Sequence, residues 1–390
     1  TGADAGAVSA VHQILATAIR LGASDVHIEP LAGEVRVRMR VDGTLRKVMA
    51  LPKTGQAPLT SRVKIIANID IAQKRVPQDG RARISLDGVT RNIRVSTLPT
   101  LHGEKVVIRL LTDIGELPAL SALGIPPDGL AIIHEALRSS QGLVLITGPT
   151  GSGKTTTLYS AIHEIVTGER NLITLEEPVE IELPGVSQVQ IDEKVGMTFA
   201  AGLRSVLRQD PDIIMVGEIR DKVTADLAIR AALTGHLVLA TVHTIDAPSA
   251  VIRLVDMGVP RYLIASSLNL VIAQRLVRKP CQYCMQPQVP DPETRQRLHL
   301  TQEQSLAMVV GRGCEKCEAH GYRGRTGVFE VLPVTKDVRA ALMSGGDEAT
   351  LATAARASGW KPLLESGVEV ATHRQTTAAE LLRVLLAGTL

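Results

Sequence analysis

The segment Gly148-Pro-Thr-Gly-Ser-Gly153-Lys154-Thr155 follows the apolar run Leu143–Thr147 and opens a helical pattern. Strand, glycine-rich turn and helix in that order constrain the chain more than anything else in it. Glycines let successive backbone N–H groups turn inward as an anion cradle, where side chains would obstruct phosphate oxygens. The helix starting near Lys154 aims its positive end at the same point. In this pattern Lys154 reaches the β- and γ-phosphates and the Thr155 hydroxyl helps bind Mg²⁺, while Gly148, Pro149, Thr150, Gly151, Ser152, Gly153 and Thr156 complete the loop. The expected ligand is ATP with Mg²⁺.

Strands of the same texture recur at Leu172–Leu175, Ile213–Val216 and Leu237–Val242, alternating with helical patterns between residues 130 and 277. That alternation predicts an α/β core built on a parallel sheet. Such sheets bind ligands beyond the carboxyl ends of their strands. Glu218 stands there after Ile213–Val216, and Glu176 opens the acidic stretch Glu176-Glu177-Pro178-Val179-Glu180. Both are candidates to orient or deprotonate an attacking water; Glu177 and Glu180 read as structural or surface charges. His236 and His243 flank the strand Leu237–Val242 and are candidates for sensing the γ-phosphate through hydrogen bonds.

Residues 1–112 read differently. Val8, Val11, Ile14, Leu15, Ala18 and Ile19 recur at helical spacing, and Val35, Val37, Met39 and Val41 then alternate with Arg36, Arg38 and Arg40 as in a half-buried strand. Asp87-Gly88 suits a two-residue hairpin turn. An α+β domain is expected, followed by a Gly/Pro-containing linker over 113–129 and the α/β core over 130–277. Residues 278–328 carry Cys281-Gln-Tyr-Cys284 and Cys314-Glu-Lys-Cys317, four thiolates suited to a closed, structural Zn²⁺ site. Paired cysteines used this way predict a reducing, intracellular setting. Residues 329–390 read as short helices, with Thr377–Glu380 as a capping box before Leu381–Leu386 and Gly388 as the stop. No apolar run reaches the ~20 residues of a bilayer span, and the first thirty residues show no secretory pattern.

Gly148–Thr156, the acidic box Thr174–Glu180, Arg208–Asp221, Thr234–Thr244, Ser24–Pro30 and Val76–Arg81 together make the chain resemble the secretion ATPases of type II secretion and type IV pilus assembly. The resemblance covers essentially the whole chain; Glu177 stands where that acidic box commonly has Asp, which keeps the charge. It implies a PAS-like first domain, a RecA-like P-loop ATPase core and a homo-hexamer with ATP between the two domains. It also implies arginines that reach the nucleotide: Arg94 and Arg109 from the first domain, Arg204 and Arg220 from the second, with Arg81 a lesser candidate. An arginine placed so is worth roughly 10³–10⁵ in rate. Secretion and pilus-assembly members share the cysteine module and retraction members lack it, so the resemblance points to assembly. The implied partner is a polytopic inner-membrane platform protein, met by peripheral association at the cytoplasmic face of the inner membrane. Many members carry a further amino-terminal docking domain, and this chain opens at the PAS-like part.

Two other classes compete with an assembly motor. A nucleic-acid translocase would use aromatic stacking and a basic field. The chain has one Trp, four Tyr, two Phe and a formal charge of only +3, so no nucleic acid is expected. A nucleotide-bound scaffold would bind ATP and turn over little.

Overall fold

The computed structural model describes residues 2–111 and 113–386. The chain divides into two compact units, Thr1–Glu116 and Leu117–Leu390. Thr112, which ends the first expected domain, and Gly388, the expected helix stop, lie outside the described residues.

The first unit runs α1 (Gly2–Arg20), β1 (Asp25–Pro30), β2 (Glu34–Val41), β3 (Thr44–Pro52), α2 (Gln56–Ile66), β4 (Gln78–Leu86), β5 (Val89–Thr100) and β6 (Gly103–Leu110). Its six strands form one antiparallel sheet in the order β3-β2-β1-β6-β5-β4. The period-two pattern of β2 buries Val35, Val37, Met39 and Val41 against Ile14, Leu15 and Val63 of the two helices. Val8, expected on the buried stripe of α1, is exposed. Asp87 and Gly88 both take positive φ, as a two-residue hairpin requires, and Asp42-Gly43 makes the same turn between β2 and β3. The opposite face of the sheet is charged. There Glu29 takes Arg36, Arg38 and Lys105, whose combined pull outweighs burial and holds its pKa at about 2.

The second unit begins inside the stretch expected to be linker. Leu120 is fully buried and its N–H donates to Glu164 at 3.0 Å. The first helix, α3 (Pro127–Arg138), already starts at Pro127. Then follow β7 (Gly142–Thr147), α4 (Lys154–Ile165), β8 (Leu172–Glu176), β9 (Ser187–Gln190), α5 (Phe199–Val206), β10 (Ile213–Val216), α6 (Lys222–Leu233), β11 (Leu237–Val242), α7 (Ala247–Asp256) and α8 (Arg261–Ser267). The central strands β7, β10 and β11 are buried along their whole length, as apolar runs between two helical layers should be.

The core does not end at residue 277. Strand β12 runs Leu268–Pro280, and β15 (Tyr322–Pro333) returns to pair with it, giving a seven-stranded sheet in the order β15-β12-β7-β11-β10-β8-β9. Neighbours are parallel except β12 and β15. Between these two strands lie β13 (Met285–Pro287), α9 (Pro292–Arg297), α10 (Gln302–Ala307) and β14 (Val309–Gly311). The cysteines are therefore an excursion from the sheet, with core sequence on both sides.

Helices α11 (Lys336–Met343), α12 (Glu348–Arg356), α13 (Leu363–Thr372) and α14 (Ala378–Leu385) complete the unit. The expected capping box forms by half. Thr377 accepts the Glu380 N–H at 3.1 Å, but the Glu380 carboxylate turns inward to the Arg278 N–H at 3.0 Å and guanidinium at 2.7 Å. Arg383 closes on it too, and Arg278 lies 4.0 Å over the Tyr322 ring. Burial alone would raise the Glu380 pKa; the two arginines override it and hold it at about 2. A depressed pKa stabilises the fold above the unfolded value of about 4.3, and that contribution is lost as pH falls towards 2. Glu380→Gln is expected to cost ~3 kcal/mol near neutrality and to flatten the melting temperature between pH 4.5 and 2. A parallel pH profile in both proteins would contradict this.

Candidate functional site

At the carboxyl end of β7 the chain turns through Gly148, Gly151 and Gly153, all at positive φ. A Cβ at Gly148 would stand 2.6 Å from the Gln274 carbonyl, so only glycine lets the loop lie against β12. The Gln274 side chain, 1% exposed, donates to the Ser152 carbonyl at 2.8 Å and holds the loop from beneath. Lys154 caps the loop it belongs to, donating to the Gly148 and Pro149 carbonyls at 2.7 and 3.2 Å. Burial lowers its pKa to about 8, against the pull of Glu218.

Threonines join the strand ends around this loop. Thr147 and Thr244 share a hydroxyl hydrogen bond of 2.7 Å, which sets His243 beside the loop. Thr241 donates to the Gly217 carbonyl at 2.5 Å, which fixes the backbone under Glu218. A chain of contacts follows. Lys154 Nζ lies 3.4 Å from His243 Nδ1, and His243 Nε2 lies 3.1 Å from Glu218. Glu218 takes Arg220 at 2.9 Å, and Arg220 also donates to Glu177 at 2.8 Å. The two carboxylates raise the Arg220 pKa over the opposing effect of burial. Glu176 sits on the next strand, 4% exposed, with its carboxylate bonded by Tyr159, Thr174 and Gln188.

These groups line one cleft of about 490 Å³, within the size range of small-molecule sites. Thr150, Gly151, Gly153, Lys154, Thr155 and Thr156 form one wall; Glu176, Glu218, Arg220 and His243 form another. Glu177 and Glu180, read from sequence as structural or surface charges, also face the cleft. Gly148, Pro149 and Ser152 belong to the same loop but do not line the cleft.

Three expectations fare differently. His236 is not brought to the loop: it precedes β11, whereas His243 follows it, so the two sit roughly 20 Å apart at ~3.3 Å per residue. Its Nδ1 instead bonds the Ala231 carbonyl at 2.9 Å. Arg204 is exposed on α5 and does not line the cleft. Arg94 and Arg109 belong to the first unit, where Arg81, Arg94 and Arg109 occupy one cross-strand row of β4, β5 and β6. Arg109 is tied to Asp25 at 3.0 Å. The cleft also contains residues the sequence did not suggest. Phe199 comes from α5, Leu276 from β12 and Arg325 from β15. None belongs to a chemical motif, and the last two arrive only because β12 pairs with β7 and β15 with β12.

The four cysteine sulfurs all lie within 4.8 Å of one another. Neighbouring pairs stand 3.8–3.9 Å apart. Four thiolates at about 2.3 Å from a tetrahedral zinc would be separated by about 3.8 Å. Backbone N–H groups of Gly313, Cys314 and Gly321 point at the sulfurs of Cys284, Cys317 and Cys317 at 3.2 Å, donors that favour thiolates. The set fits Zn²⁺ and leaves no ligand position open.

The model of the family described as "Type II/IV secretion system protein" matches residues 3–383. The type II secretion system protein HxcR of Pseudomonas aeruginosa is 48% identical over 374 residues, covering 96% of this chain and 76% of its own length. The type IV pilus assembly ATPase PilB of Thermus thermophilus is 45% identical, covering 95% of this chain but 42% of its own length. The type II secretion system ATPase E of Vibrio cholerae is 43% identical, with 98% and 76% covered. Among solved structures, the Legionella pneumophila ATPase DotB superposes with a TM-score of 0.70 at 24% identity, covering 96% of this chain and 94% of its own. The pilus retraction motor PilT with bound ADP gives 0.58 at 26%, covering 91% and 95%.

Proposed function

Since the chain belongs to the type II/IV secretion system protein family, we propose that it is a hexameric ATPase motor that powers assembly of pilin or pseudopilin filaments through an inner-membrane platform protein. The observation that carries this reading is the cleft in which the P-loop lysine, His243 and Glu218 form one hydrogen-bonded chain. In the division proposed here, the first unit is the PAS-like domain, β7 to β12 with β15 form the RecA-like core, and 281–321 is the zinc-binding excursion. No described helix is long and apolar enough to cross a membrane; the motor works peripherally at the cytoplasmic face.

The chemistry follows from the geometry. The triphosphate takes the place of the Gly148 and Pro149 carbonyls as the partner of Lys154, whose full charge the phosphates restore. Thr155 and Glu218 are the groups that would hold Mg²⁺, which neutralises charge on the β- and γ-phosphates. Glu176, on the adjoining strand, orients the attacking water and takes its proton. His243 links Lys154 to Glu218 and reports an occupied γ-phosphate site. Arg220, freed from Glu177 and Glu218, turns to the transferring phosphoryl; Arg94, Arg109 and Arg204 complete the site in the assembled ring. The zinc is structural, because four thiolates leave it nowhere to bind substrate.

Lys154→Ala tests the reading at its root. Expected is loss of ATP and ADP affinity by calorimetry and phosphate release reduced to background, with the melting curve preserved. Hydrolysis at the parent rate would remove the loop from the mechanism. Adding single-stranded DNA is expected to leave the parent rate unchanged; salt-sensitive stimulation would favour a translocase.

A further inference from the structure

Glu176 is held more tightly than its proposed task alone would need. Its carboxylate takes hydrogen bonds from three elements: the Tyr159 hydroxyl on α4, the Thr174 hydroxyl at 2.5 Å on β8, and the Gln188 amide at 3.0 Å on β9. Tyr159 is fully buried, and burial beside Glu176 pushes its phenol well above the usual range, so it stays a donor. The same hydroxyl accepts the Glu180 N–H at 3.2 Å. Gln188 is equally committed. Its amide nitrogen also reaches the Ile181 carbonyl at 3.0 Å, and its oxygen accepts the Leu183 N–H at 2.7 Å.

A phenylalanine at 159 would fill the same core volume, so packing does not account for the hydroxyl. Position does. Tyr159 comes one helical turn after Thr155, on the same face of the helix that the nucleotide loop opens. We propose that Tyr159, backed by Gln188, is a positioning residue that fixes the Glu176 carboxylate at the cleft and ties its place to the helix carrying Thr155. Thr174 and Gln188 both donate to one carboxylate oxygen, and Tyr159 alone among these partners holds the other, so bonds on both oxygens set the plane of the group. The inference rests on the reading of Glu176 as the group that handles the attacking water.

The test is a double-mutant cycle on the full chain. Tyr159→Phe is expected to lower kcat about tenfold, the worth of one hydrogen bond to a charged group, with the KM for ATP and the ADP affinity unchanged. Glu176→Gln is expected to lower kcat at least about a hundredfold. The double variant should then be no slower than Glu176→Gln alone, because Tyr159 acts through the group already lost. Gln188→Met, on an edge strand, should repeat the pattern if Tyr159→Phe melts too low to assay. A further tenfold loss in the Glu176→Gln background, or an unchanged kcat in Tyr159→Phe beside an inactive Glu176→Gln, overturns this inference alone. Parent-like turnover in Glu176→Gln overturns the role given to Glu176 and this inference with it.

Discussion

Replacing Glu218 with glutamine is expected to reduce ATP turnover by at least about 10²-fold while ATP remains bound. The substitution keeps the volume and a hydrogen-bonding group opposite His243 and removes only the charge. That charge faces three cations at once: Arg220 at 2.9 Å, His243 at 3.1 Å when protonated, and Lys154 beyond it. Affinity should persist because the loop amides and Lys154, not Glu218, grip the phosphates. Phosphate release under saturating Mg–ATP, set beside calorimetric binding, separates the two effects. Undiminished release would take Glu218 out of the reaction; loss of binding together with release would make it part of the grip.

The second large effect concerns the metal. Cys281→Ser, or a strong chelator, is expected to abolish bound zinc and unravel residues 281–321. Sites of four thiolates contribute on the order of 10–16 kcal/mol to folding their own segment, and few apolar side chains stand in reserve here. Leu298 and Met308 pack on the carboxyl-terminal helices with Val277 and Val328, and Val309 is the one other buried aliphatic side chain among the described residues of the excursion. Limited proteolysis should open new cuts between 281 and 321, while nucleotide binding at Lys154 survives, because no cysteine lines the cleft. A chain that contains no zinc and shows the same cleavage pattern in both forms would contradict the assignment.

What the sequence disclosed follows from how local each signal is. The glycine turn before Lys154, the strand-end placement of Glu176 and Glu218, the strand pattern of Val35–Val41 and the Asp87-Gly88 turn each depend on neighbours within a few residues. His236 misled for a related reason: a histidine next to a strand is visible in sequence, but which end of a parallel strand faces the ligand is a property of the sheet. The limits of the core were illegible too, since β15 carries no sign that it will pair with β12. For the same reason Leu276 and Arg325 reach the cleft without any motif to announce them. Glu380 looked like half of a local capping box; its partner Arg278 lies a hundred residues back and outcompetes the helix's own N–H group.

Pro280 and Tyr322 sit opposite each other in the β12–β15 ladder. The chain thus leaves the sheet and re-enters it at almost one place, and everything in between hangs from a single root. Such an attachment is exchangeable: a tight turn or an unrelated module could be spliced across it without altering the register of the sheet, provided something replaces the cover that Leu298 and Met308 give to α13 and α14. Because β12 also carries Gln274 beneath the nucleotide loop, a load applied to that appendage would pull along the same rod on which the loop rests.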